Sequence, residues 1–189
     1  MKFIKKIKQN QFLLEQLIER DFKKKYKRTW LGIGWSVLSP LLMILVMTVV
    51  FCGIFGRNMP HYIIYVFSGQ ALFNYFSEAT NEGMVALTNN AAIFTKVNVP
   101  KFLFLISKNV SATINFLIVM LIYLCFCLAD GLVPTVRWLA LIYPIASLTL
   151  FNMGMGLVLS AMFVIFKDVQ YLYRIFTQML VYLSVIFYT

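Results

Sequence analysis

From residue 36 onward the chain is written in long apolar blocks that polar residues interrupt only briefly. The blocks fall at about 36–55, 62–79, 102–129, 138–166 and 171–189. Each approaches or exceeds the ~20 residues that a helix, rising about 1.5 Å per residue, needs to cross the hydrocarbon core of a bilayer. The pattern predicts an all-α integral membrane protein with about five transmembrane helices over 31–189. Pro40 falls in the first turns of the first span, where a helix tolerates it. The third block is long enough to tilt or to extend past the membrane. The fifth is still apolar at Thr189, with no flanking anchor, and the expectation is a truncated chain.

The segment before the first span, 1–30, has its own periodicity. At 100° per residue Phe3, Ile4, Ile7, Leu13, Leu14, Leu17, Ile18 and Phe22 fall within about half of a helical circumference. Phe12 sits off that face, and Asp21 and Lys25 intrude on it. This predicts an amphipathic helix lying in the inner membrane interface. The other reading is a cytoplasmic helix packed on a partner protein.

Composition agrees with the blocks. Only 13% of the residues are charged, against about 25% in soluble domains. A formal charge of +10 would suit a nucleic-acid binder, but ten of the seventeen Lys and Arg lie in residues 1–30 and no second basic face exists. The charge distribution instead sets orientation. With the N-terminus inside, fifteen cations fall on the cytoplasmic side, and only Arg57 and Arg137 fall outside. The N-terminus is therefore expected in the cytoplasm of a multi-pass inner or plasma membrane protein. Cys52, Cys125 and Cys127 lie within apolar runs and read as small buried hydrophobes, since Cys-x-Cys alone lacks the partners of a zinc site.

Polar residues inside spans are costly and point to function. Asn74, Glu78 and Glu82 recur at i, i+4, i+8 on the second span, and Lys108, Ser111 and Asn115 at i, i+3, i+7 on the third. Glu78 and Lys108 stand about equally far from the middle of the loop between them. An ion pair is thus expected between Lys108 and Glu78 or Glu82, serving either structure or gating. On the fourth span, Thr149, Asn152, Gly156 and Ser160 form a stripe suited to close helix packing. The single histidine, His61, reads as a solvated loop residue. No phosphate-binding G-x-x-x-x-G-K-[ST] occurs, and Asp130 and Asp168 fall on opposite membrane sides. The chain is not expected to be an enzyme, to hold a metal or to bind a cofactor itself.

The order of motifs carries a resemblance. "YKRTWLGIGWSVLSP" before the first span, "NAAIFTKVNVPK" between spans two and three, and "FKDV" between four and five are similar to the ABC-2 type permeases. The match is strongest to the branch that exports polysaccharides of O-antigen, teichoic-acid or capsule type, and covers the chain in order. That family has six spans and often a proline where this sequence has Val185. The resemblance implies a homodimer of permease chains, set among membrane lipids and pairing with separate ATP-binding cassette subunits, which carry the ATP and Mg, and exporting a lipid-linked glycan through a channel between the two copies. It implies an ATPase-coupling loop at Asn89, Asn90, Ile93, Phe94, Thr95, Lys96 and Val97; a plain interfacial turn is the alternative. It makes Lys27, Arg28, Trp30, Gly32, Trp35 and Pro40 the elbow that joins the interfacial helix to the first span. Phe51, Phe55, Phe187 and Tyr188 become channel aromatics, unless they are a belt in contact with lipid. An exporter of small amphipathic compounds, a membrane enzyme acting on lipid-linked sugars and a non-transporting scaffold are the competing functions.

Overall fold

The computed structural model describes residues 10–26, 31–50, 61–96, 99–132 and 135–184. All of the regular structure among them is helical. α1 is Gln11–Tyr26, and a 3-10 turn at Gly32–Gly34 leads into α2, Trp35–Met47. α3 is Tyr62–Asn89, and the short α4, Ala91–Phe94, follows it directly. α5 is Phe102–Ala129; a 3-10 stretch at Val136–Leu141 runs into α6, Ile142–Ile165; α7 is Val169–Leu183.

Two of these, Phe102–Ala129 and the continuous Trp138–Ile165, are long and apolar enough to cross a membrane, and Trp35–Val50 is a shorter apolar helix. α3 has 28 residues and thus a length of about 42 Å, but it carries the polar row along one face. It also runs ten residues past 79, so Glu82 sits within a helix rather than in a loop. The outward faces of α5 and α6 expose Leu117, Leu121, Leu150 and Phe151. That is the surface of a membrane protein, whose solvent on that side is itself apolar.

α3 is the central helix, with α5 and α6 as its main neighbours. Against α6 the contact is made by small residues: Gly83 and Gly156 face each other, and Asn152 and Ser160 are buried beside them. The small-polar stripe on α6 is thus a packing surface, which lets two backbones approach closely. Against α5, Tyr75 stacks on Phe116 with centroids 4.5 Å apart. The Tyr75 hydroxyl also donates to Thr149 Oγ1 at 2.9 Å and shares a 2.8 Å bond with Thr113 Oγ1, so one side chain ties three helices. α7 buries Val169, Tyr173 and Thr177, spaced i, i+4, i+8, and Tyr173 donates to Thr80 Oγ1 at 2.8 Å.

α1 packs on α5 of its own chain, burying Leu17 and Asp21. A polar intruder on the apolar face is possible because α5 offers it a cation. Cys127 is buried, but Cys125 is exposed, because it falls on the outward side of α5. His61, although about half exposed, bonds through Nδ1 to Asp130 Oδ2 and so joins the start of α3 to the end of α5. Among residues expected at the spans and in the N-terminal helix, Phe3, Ile4, Ile7, Cys52, Arg57 and Val185 lie outside the described residues.

Candidate functional site

A cleft of about 920 Å³ opens between α2 and α3, with α5 as its floor. One side is the polar face of α3, where Gln70, Asn74, Ser77, Glu78, Asn81 and Glu82 all reach the cleft. Their spacing follows from the helix itself: residues three and four apart share a face. The opposite wall is α2, contributing Trp35, Ser36, Ser39 and Pro40. Asn115, Phe116 and Val119 come from α5. Amides, hydroxyls and carboxylates thus meet aromatic rings in a concave space between apolar helices.

Two of the carboxylates are held from behind. Asn115 Nδ2 donates to Glu78 Oε2 at 3.0 Å, and Lys108 Nζ donates to Glu82 Oε2 at 2.9 Å. The expected ion pair is thus present with Glu82. The i, i+3, i+7 row on α5 does not act as a unit, however. Ser111 Oγ is buried with no partner among the described residues, whereas Lys108 and Asn115 each take a glutamate.

Lys108 also faces a second acid. Asp21 Oδ2 lies 3.5 Å from its Nζ, and Asp21 Oδ1 accepts from Arg20 Nη2 at 2.8 Å. Arg20 Nη2 reaches Asn90 Oδ1 at 2.8 Å as well. Asn90, 3% exposed, caps the end of α3 and gives its Nδ2 to Ala86 O at 2.7 Å. A continuous chain of polar contacts therefore runs from Asn90 through Arg20, Asp21 and Lys108 to Glu82 at the cleft. Periodicity alone did not single out Arg20 and Asp21 as site residues. The available signal was Asp21's intrusion on the apolar face of α1, since a buried carboxylate requires a partner.

The loop expected to couple to an ATPase is described in part. Asn89 ends α3, Ile93 is half-buried with its amide on Asn90 O, and Thr95 and Lys96 are exposed. Phe94 ends α4, but its side chain, like all of Val97, lies outside the described residues. In the elbow, Gly32 takes φ 50°, a left-handed value that a side chain disfavours, and this turns the chain into α2. Trp35 and Pro40 line the cleft; Lys27, Arg28 and Trp30 lie outside the described residues. So do the four expected channel aromatics, Phe51, Phe55, Phe187 and Tyr188.

No protein-family model matches the chain. Curated proteins do. It is 27% identical over 174 residues to the O-antigen export system permease protein RfbA of Myxococcus xanthus, covering 91% of this chain and 66% of that protein. The chain is thus similar to a permease protein of an O-antigen export system. An O-antigen export system permease protein RfbA of Klebsiella pneumoniae is 24% identical over 177 residues, covering 93% of this chain and 68% of that one. The polysialic acid transport protein KpsM of Escherichia coli is 23% identical over 178 residues, covering 93% and 69%. The chain thus spans about two thirds of the length of the curated relatives it matches. By name these relatives are transport proteins rather than enzymes, in agreement with the resemblance carried by the motifs.

Proposed function

We propose that this chain is the transmembrane permease subunit of an ABC transporter that exports a lipid-linked polysaccharide across the cytoplasmic membrane. The observation that carries the reading is the α3 cleft, found in a chain whose relatives are permeases of O-antigen and polysialic acid export. Carbohydrate recognition uses amides, hydroxyls and carboxylates for sugar hydroxyls and aromatic faces for ring carbons. The cleft supplies Asn74, Asn81, Glu78 and Glu82 for the first task and the exposed Trp35 for the second.

In this reading a second copy of the permease completes the path. ATP and Mg are handled by a separate ATP-binding cassette subunit, which docks on the cytoplasmic side. The loop from Asn89 to Val97 receives that subunit, with exposed Thr95 and Lys96 available for contact. The N-terminus is cytoplasmic, because the fifteen cations assigned to the inner side favour retention there. Phe51, Phe55, Phe187 and Tyr188 would carry the glycan at the outer end.

The test is co-expression of the whole permease with candidate ATP-binding subunits, then purification and measurement of ATPase activity with lipid-linked glycan. A complex whose ATPase rises with glycan supports the reading. Failure to form any complex, or a complex indifferent to glycan, overturns it. Unchanged surface polysaccharide after deletion of the gene would place an exporter of small amphipathic compounds ahead.

A further inference from the structure

We propose that Asp21 is a positioning residue for transport: by competing with Glu82 for Lys108, it links the state of the cleft to the loop at Asn90. The inference rests on the permease reading above. Its basis is that one ammonium stands between two carboxylates on different helices. Lys108 Nζ is 2.9 Å from Glu82 Oε2 and 3.5 Å from Asp21 Oδ2. The two acids differ in surroundings. The Asp21 side chain is 4% exposed, whereas that of Glu82 is 48% exposed and reaches the cleft.

That difference gives Lys108 two positions. A buried carboxylate that loses a cation cannot turn to water, so Asp21 draws Lys108 strongly whenever Glu82 releases it. Glu82 is able to release it, because ligand hydroxyls in the cleft can take over its oxygens. Movement of Lys108 onto Asp21 then weakens the hold of Asp21 on Arg20. Arg20 shares its Nη2 between Asp21 and Asn90, at 2.8 Å each. Occupancy of the cleft therefore changes how firmly α1 is tied to the Asn90 cap, and linkage requires the reverse effect to be equal in binding free energy. A merely structural ion pair would need only one acid and no contact with the loop.

The experiment uses the whole permease assembled with its ATP-binding subunit. It reads the ratio of glycan-stimulated to basal ATPase for wild type, Asp21→Asn, Asp21→Glu, Glu82→Gln and the double variant Asp21→Asn with Glu82→Gln. Wild type must first show stimulation; if it does not, the permease reading itself falls. Given stimulation, Asp21→Asn and Glu82→Gln should each reduce the ratio at least fivefold, and Asp21→Glu should restore most of it. The double variant should be no worse than the worse single variant, because both changes interrupt one path. Should Asp21→Asn fail to assemble, Glu82→Gln and Arg20→Gln carry the same criterion. Ratios within twofold of wild type in the assembled variants, or strictly multiplicative losses in the double variant, overturn the proposal.

Discussion

Gly83 and Gly156 meet so closely that a Cβ on Gly83 would stand 3.0 Å from the Gly156 Cα, whereas a Cβ on Gly156 would stand 3.5 Å from the Gly83 Cα. The contact is asymmetric, and the obstacle for Gly83 is backbone, which cannot rotate away. Gly83→Ala should therefore destabilise the protein by about 1–3 kcal/mol, as overpacking does. Gly156→Ala meets ordinary contact and gains up to about 1 kcal/mol of helix propensity. Unfolding midpoints of the two purified variants in one detergent check this, and equal shifts would refute it.

The charges around Lys108 should be unequal in worth. Lys108→Met strips a cation 3.5 Å from Asp21, whose side chain is 4% exposed; Asp21 keeps Arg20 at 2.8 Å, so about 1–3 kcal/mol should be lost. Glu82→Gln touches a side chain 48% exposed and should cost less than about 1 kcal/mol. Denaturation of both variants against wild type is the measurement; a Glu82→Gln loss as large as that of Lys108→Met would refute the predicted inequality.

Tyr173 and Thr80 offer a matched pair of changes at one bond. Tyr173→Phe removes the donor, yet Thr80 Oγ1 keeps its own bond to Phe76 O at 2.7 Å, so about 0.5–1 kcal/mol should be lost. Thr80→Val leaves the buried Tyr173 hydroxyl without its acceptor and should cost about 1–3 kcal/mol. The order of the two thermal midpoints decides the matter.

Asn152 is fully buried, and neither side-chain polar atom has a partner among the described residues. Burial of an unpaired amide costs about 1–3 kcal/mol by mutational measure. Asn152→Leu, of similar volume, is expected to leave stability unchanged or raise it. A clear fall in midpoint would mean that the amide holds an internal water.

Much of this architecture is legible in the chain, and for a local reason. Hydropathy and helical period belong to single segments, so the long apolar blocks, the helix at Phe102–Ala129 and the polar row on α3 follow without knowledge of neighbours. The small residues at Gly156 and Ser160 likewise announce a close contact, though not its partner. The motifs place the chain among permease relatives because they mark fixed points along the sequence rather than contacts across it.

What the sequence by itself determined was which faces are apolar and which are polar; the tertiary structure decided which polar faces meet. Lys108 could have joined Glu78 or Glu82, four residues apart on one helix face, and only the sliding of α5 against α3 brings Glu82 within 2.9 Å and sets Asn115 against Glu78. Asp21 looked like an interruption of an amphipathic helix until α5 placed Lys108 against it. The physical reason is that rotation and sliding between helices are set by the packing of small side chains and by the need to neutralise buried charge. Both are properties of pairs of helices, and a single strand of letters contains neither.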